Sequence, residues 1–579
     1  MAPRPILFFF CFLSFVLFPA KLVSAEQEKM PNNKFGIHLA VVTDQSLEEA
    51  ASLVNSNGGD WGYVTVVMEK NDKNKEKWQK NFDKMRSLHL IPIVRLATNF
   101  ENGSWQKPAI EEAGSWVDFL ASLNWVVKNR YIVLFNEPNQ SKEWGGKVDP
   151  EEYGKISLHY AKAFKERDSN FFMMLAGLDA AAPHKPPVYE DEGIFLHQMF
   201  ASLSNWGEEL KGYIDGWASH SYPNHGFIGT PNDWGRNSIR TYIWEKNLLT
   251  KYNINPNLPI FITETGWPHS EGIINQSGLY SQSKVESFFL QYFTQLDGDT
   301  SIVAITPFVL DYQGEPFDHF SWKKVGGNNE FYPQYQAVQN LSKTKGEPKQ
   351  EERFAIINSL PSDLTQDSTY QIPVRVRNEG QAIWSPDEGY SLQLFSDYPL
   401  EHFFSDFSNL KPFEEEKILF YLKTDNDPVN NNASIYVAKN GKPVTDYFNW
   451  AFNVLPTPDI NFTVDLFPKI KTEGSDFKII IYNLRDEVVF EKDDIKVSDG
   501  LGAILKAKNL TIGERYRIVL LKPYYLPRQS FTIIKEKGNI IDFGRTFPLD
   551  LNKDGKFSFS DFTKGAQKGN EFRSLYWPF

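Results

Sequence analysis

Tyr131-Ile132-Val133-Leu134-Phe135 is followed at once by Asn136-Glu137-Pro138-Asn139, an apolar run of strand length that ends in polar and turn-forming residues. Similar runs recur through the first half of the chain: Phe35 to Ala40, Tyr63 to Met68, Ile91 to Ala97, Phe171 to Leu178, Ile214 to His220, Ile260 to Thr263 and Ile302 to Leu310. Amphipathic stretches of helical period separate them, and that alternation predicts βα units on a parallel sheet. Eight such units over residues 34–342 fit a (β/α)8 barrel of the α/β class, carrying loop insertions. An open doubly wound sheet shares the texture, but no glycine-rich phosphate loop follows the first run.

After Leu341 the pattern changes. Lys343 to Arg353 is charged and helix-poor, a linker into strand-like runs. Residues 354–455 predict a small all-β sandwich, with strands such as Tyr370 to Val376 and Ile418 to Leu422. Pro456-Thr457-Pro458 forms a stiff spacer, and residues 459–545 predict a second small β-sandwich, with strands such as Lys478 to Asn483 and Tyr516 to Leu521. At the N-terminus, Arg4 precedes an apolar run from Ile6 to Leu17, and Val23-Ser24-Ala25 supplies a small-residue cleavage site. Residues 1–25 therefore read as a secretory signal peptide, with an uncleaved anchor as the alternative. The mature chain is expected outside the cell with no membrane span, since the run is short for a spanning helix. The one cysteine, Cys11, falls in that leader, which removes disulfides, thiolate metal sites and cysteine nucleophiles from the mature chain. A formal charge of -12 without a long basic run argues against nucleic acid as a partner.

Glu137 ends the fourth run, and Glu264 ends the seventh in Phe261-Ile262-Thr263-Glu264-Thr265-Gly266-Trp267. Barrel enzymes build their sites from the carboxyl ends of strands. Two carboxyl groups there suit glycosidic cleavage, which needs a proton on a poor leaving oxygen and negative charge beside an oxocarbenium-like carbon. With Asn136-Glu137-Pro138 on strand four and Glu264 on strand seven, residues 34–342 resemble the clan A retaining β-glycosidases, a cellulase-like superfamily. The resemblance implies a secreted retaining glycoside hydrolase that cleaves β-linked polysaccharides or oligosaccharides as a monomer. It implies Glu137 as acid/base, Glu264 as nucleophile, and Asn136 as the partner of the sugar 2-hydroxyl. Ser219-His220-Ser221-Tyr222 matches the His-x-Tyr of several member families, in which the tyrosine hydroxyl steadies the nucleophile. Arg95 and His38, at the ends of strands three and one, and Trp267 as a sugar platform complete the expected substrate-binding set. Strand eight ends in Pro307-Phe308-Val309-Leu310, where the family commonly has a tryptophan. Neither a His-Glu-x-x-His motif nor a Gly-x-Ser-x-Gly elbow occurs, so catalysis without a metal or cofactor is expected. A transglycosylase, with an acceptor sugar in place of water, and a non-catalytic glycan-binding barrel are the alternatives.

Two further resemblances concern the rest of the chain. Asn378-Glu379-Gly380-Gln381-Ala382-Ile383-Trp384, with Gly389-Tyr390 beyond it, is similar to immunoglobulin-like sandwiches of the next-to-BRCA1 type. Within residues 548–579, Asp550, Asn552, Asp554, Ser558 and Asp561 occupy positions 1, 3, 5, 9 and 12 of a calcium-type loop. Gly555 takes the turn position, and Lys556 would offer its backbone carbonyl. The segment resembles half of a dockerin. A structural calcium ion is expected, and the single copy of the loop speaks against a cohesin partner.

Overall fold

The computed structural model of the protein describes residues 31–576, except Pro399 and Pro428. The leader proposed for residues 1–25, Cys11 included, lies outside the described residues. Eight parallel strands form a barrel: β1 (Gly36–Leu39), β2 (Gly62–Glu69), β3 (Leu90–Ala97), β4 (Arg130–Leu134), β5 (Phe171–Leu175), β6 (Trp217–His220), β7 (Ile260–Glu264) and β8 (Ile302–Ile305). The strands β1 to β5 make one ladder and β6 to β8 another. β8 closes onto β1 through a parallel bridge between Ile305 and Phe35. Between β5 and β6 the ladder gives way to Asp215. Its N–H donates to Met173 O at 2.9 Å, and its carboxylate accepts the Met173 N–H at 2.7 Å. The expected strand from Ile214 therefore begins only at Trp217.

A helix follows each strand: α1 (Asp44–Val54), α2 (Lys75–Ser87), α3 (Ala113–Ala121), α4 (Pro150–Arg167), α5 (Glu192–Ser202), α6 (Thr241–Leu249), α7 (Gln282–Leu296) and α8 (Pro333–Gln339). Local chemistry starts them where the sequence allows. Thr43 and Ser46 form a reciprocal capping box at α1, and Asp149 caps α4 ahead of Pro150. Strand residues such as Val64, Val94, Ile132 and Ile262 are fully buried against helix residues such as Leu47, Phe82, Phe164 and Phe289. Burial on both faces is why these strands read as unbroken apolar runs.

Residues 354–455 form two sheets around Trp384, Phe420, Ile435 and Trp450. The next unit differs from the sandwich expected. Its seven strands make one continuous sheet, with Tyr525–Ile533 and Asn539–Thr546 at the two ends. Those ends lie against each other, Arg528 Nε donating to Phe543 O at 2.8 Å. Ile460–Leu466 is the reason, because it pairs antiparallel with Leu501–Ile504 and parallel with Asn539–Thr546, joining what would have been separate sheets.

The linker and the first β unit are pinned to the segment between α3 and β4. Lys128 N donates to Lys349 O at 2.8 Å, Asn124 Nδ2 to Gly380 O at 3.0 Å, and Gln381 Nε2 to Val127 O at 3.1 Å. That segment precedes a strand, so the contact lies on the face where strands begin, opposite the face where they end. No described helix is long and apolar enough to cross a membrane.

Candidate active site

Glu137 and Glu264 project from the ends of β4 and β7. The chain leaves β4 through two residues in the left-handed region, Phe135 (φ 74°) and Glu137 (φ 32°). Non-glycine residues pay roughly 1–3 kcal/mol each for such backbone, which clusters at functional sites. Glu137 N–H donates to Gly177 O at 3.2 Å, tying the turn to the end of β5. Gly177 has to be glycine, since a Cβ there would lie 2.2 Å from the His220 ring.

A carboxylate oxygen of Glu137, one of Glu264 and a ring nitrogen of His220 lie within 4.8 Å of one another. Arg95 Nη1 donates to Glu264 Oε1 at 2.7 Å, and the Tyr222 hydroxyl donates to Glu264 Oε2 at 3.1 Å. His220 Nδ1 is 2.8 Å from Glu137 Oε1 and 3.8 Å from Glu264 Oε2, so a proton on it faces both carboxylates. The other Glu137 oxygen accepts from Gln140 Nε2 at 2.8 Å. Asn136 joins the network on the β3 side, where its Oδ1 accepts from Arg95 and its Nδ2 donates to Glu143 at 3.1 Å. A cation would find these oxygens already engaged, with a guanidinium beside them.

The two carboxyl groups are driven apart. Burial raises Glu137 to about 7, and the nearby charges of Asp179 and Glu264 add to it, against the lowering effect of His220. Burial would raise Glu264 too, but the charges of His220 and Arg95, with the Tyr222 hydroxyl, outweigh it and hold that carboxyl below its ordinary value. His220 is raised despite its burial, because Glu264 and then Glu137 favour the charged ring. His38 is brought down to about 3 by burial and is therefore neutral.

The structure brings most of the expected residues together and redistributes their roles. Arg95 and Asn136 are partly open. His38 (1% exposed) and His220 (2%) have almost no surface left for a substrate and instead surround the carboxylates, His38 Nε2 lying 3.7 Å from Glu264 Oε1. Trp267 is not a sugar platform. It is 1% exposed, packed among Phe288, Phe289 and Tyr292, with its indole N–H on Gly229 O at 2.7 Å. The ring at the end of β8 is Phe308, half-buried and edge-on to His38 at 5.1 Å. Gln140, Glu143 and Asp179 were absent from the sequence reading. Gln140 and Glu143 follow Glu137 by three and six residues, a proximity that could have nominated them.

In the C-terminal loop, carboxylate oxygens of Asp550, Asp554 and Asp561 lie within 4.8 Å of one another. Gly555 turns the chain at φ 80°. Ser558 caps the helix Phe559–Gln567 together with Asp561.

No family model matches the chain, and no curated protein does. Among solved structures it is similar to a monomeric β-xylosidase from Caulobacter crescentus, at 11% identity over 85% of this chain and 96% of that one, with a TM-score of 0.38. A glucosidase from Croceicoccus marinus shares 10% identity over 84% of this chain and 96% of its own, with a TM-score of 0.39. An endo-β-1,3-glucanase from Pseudomonas viridiflava shares 13% identity over 53% and 97%, with a TM-score of 0.34.

Proposed function

We propose that the protein is a retaining glycosidase that cleaves β-linked polysaccharides or oligosaccharides outside the cell, with Glu264 as nucleophile and Glu137 as acid/base. The observation that carries this reading is the close approach of the two carboxyl groups, within 4.8 Å oxygen to oxygen, at the ends of β4 and β7. Retaining enzymes hold the pair about 5–5.5 Å apart, whereas inverting enzymes leave about 6.5–9.5 Å for a water between them.

Each step follows from the local charges. Glu264, ionised beside Arg95 and Tyr222, attacks the anomeric carbon as the Glu137 proton passes to the leaving oxygen. The C–O bond to the leaving group breaks, and a glycosyl–Glu264 ester forms. Esterification removes the Glu264 charge that helped to keep Glu137 protonated, so Glu137 now takes a proton from water. The water oxygen bonds to the anomeric carbon from the face the leaving group left, and Glu264 departs as carboxylate. Asn136 keeps one amide N–H for the sugar 2-hydroxyl, a contact that strengthens as the transition state forms.

The test is kinetic. Glu137→Gln is expected to lower kcat by about 10²–10⁴-fold on substrates with poor leaving groups, the usual worth of a positioned acid. Glu264→Gln should abolish turnover. Full activity in both variants would sink the assignment.

For the C-terminal loop we propose a structural calcium site. Asp550, Asp554 and Asp561 would supply carboxylates, Asn552 and Ser558 side-chain oxygens, and Lys556 its carbonyl. A bound ion would neutralise three acidic groups that otherwise repel at close range.

A further inference from the structure

Behind Glu137 stands a carboxylate that takes no part in bond making. Asp179 enters half-buried from the segment after β5, and Gln140 lies between the two acids. One amide nitrogen serves both, since Gln140 Nε2 donates to Glu137 Oε2 at 2.8 Å and to Asp179 Oδ2 at 3.2 Å.

Asn139, 0% exposed, clamps this arrangement. Its Oδ1 accepts from Asp179 N–H at 3.1 Å, and its Nδ2 donates to Asp179 O at 2.9 Å and to Glu190 O at 3.1 Å. Glu190 N–H returns a bond to Asn139 O at 2.9 Å. Both ends of the amide are engaged, so the turn after β4 cannot shift against the segment after β5 without leaving buried polar groups unpaired.

The surroundings of Asp179 suit an ion. Its Oδ1 accepts from Ala181 N–H at 2.9 Å and its Oδ2 from Gln140, two donors facing a group that only accepts when ionised. Burial raises its pKa, and the Ala181 N–H, His220 and Arg236 oppose the rise. Arg236 makes its own hydrogen bonds elsewhere, to Ala180 O at 2.9 Å and Asp191 Oδ2 at 2.7 Å.

The charged and titratable groups facing Glu137 are His220 from β6, Asp179, and Glu264 from β7, while Arg95 from β3 reaches Glu264 instead. The two negative neighbours have different fates. Glu264 loses its charge on becoming an ester, whereas Asp179 keeps its charge through the covalent intermediate. Without that remaining charge Glu137 would be a weaker base at the step that needs one, because proton transfer follows the strength of the base.

Resting on the glycosidase reading above, we infer that Asp179 and Gln140 are positioning residues for Glu137. The Asp179 charge keeps Glu137 basic while the glycosyl ester waits for water, and Gln140 fixes Oε2 and favours the ionised carboxylate.

Profiles of kcat/KM against pH, with melting curves as folding controls, test this because the two substitutions act in opposite directions. Asp179→Asn is nearly isosteric and removes a negative charge, so the basic limb should move about one unit to lower pH. Gln140→Met removes a donor to the carboxylate, so the same limb should move to higher pH. Misalignment alone would produce no such opposed pair. Rapid mixing with an aryl glycoside of good leaving group, for which breakdown of the ester limits turnover, should show a burst followed by a steady state about three-fold slower in Asp179→Asn. Carbon-13 NMR titration of the glutamate carboxyls, with the Glu137 signal assigned by Glu137→Gln, should show the same two shifts without substrate. Limbs that coincide with wild type in both variants, or that move together, would overturn the inference. So would a raised KM with unmoved limbs, the mark of a substrate contact. No cleavage of any β-glycan by wild type would remove the glycosidase reading instead, and the NMR titration would still decide whether Asp179 and Gln140 act on Glu137.

Discussion

Glu137 and Glu264 are the same side chain placed in two surroundings. Burial pushes both toward the protonated form. Around Glu264 one guanidinium, one charged imidazole and one hydroxyl reverse that push, while Glu137 has a single imidazole and two negative neighbours. The competent state carries a proton on Glu137 and none on Glu264. As pH rises through about 7, Glu137 loses that proton, so kcat/KM should fall there. On the acid side it should fall only below the ordinary carboxylate range, where Glu264 becomes protonated. Tyr222→Phe removes one donor to Glu264, so its acid limb should move to higher pH while the basic limb stays in place. Superimposable pH–rate profiles for the variant and wild type would contradict this division of labour.

At the scale of elements, the strands of the barrel were legible because parallel strands covered on both faces cannot alternate polar and apolar residues. The loops were not. Glu143 enters the site from the segment after β4 and Asp179 from the segment after β5, and no periodicity fixes where such side chains point. Trp267 shows the same limit from the other direction. Three residues beyond Glu264 the sequence makes it a candidate sugar platform, but Gly266, at φ 138°, turns the chain and the indole lies under α7. Its role is therefore in the core. Trp267→Ala should cost roughly 3–5 kcal/mol in stability, as large-to-small core changes of aromatic residues do. Denaturant unfolding would show it. A loss below 1 kcal/mol, with KM raised instead, would return Trp267 to the substrate.

For the whole molecule, the composition shift after Leu341 marked where the barrel ends, yet strand pairing in the last β unit was hidden. Two sheets and one curled sheet share the same alternation, and only the parallel pairing of Ile460–Leu466 with Asn539–Thr546 separates them. Asn124, Val127, Lys349 and Gln381 hold the first β unit at the face away from the carboxyl pair. Events in the C-terminal units should therefore leave the chemistry alone. Calcium at about a hundred times its dissociation constant should stabilise the C-terminal loop by about 2.7 kcal/mol. Proteolysis within residues 548–576 should slow, with glycosidase activity unchanged. Equal cleavage rates with calcium and with chelator would count against the site.

The central claim is that Glu264 becomes covalently glycosylated while Glu137 does not. Incubation with an activated 2-deoxy-2-fluoro β-glycoside, followed by peptide mapping by mass spectrometry, reads this directly. One glycosyl unit per chain on the peptide containing Glu264, released when an acceptor restores turnover, is the expected result. A label on Glu137, or turnover that yields inverted product with no label, would contradict it.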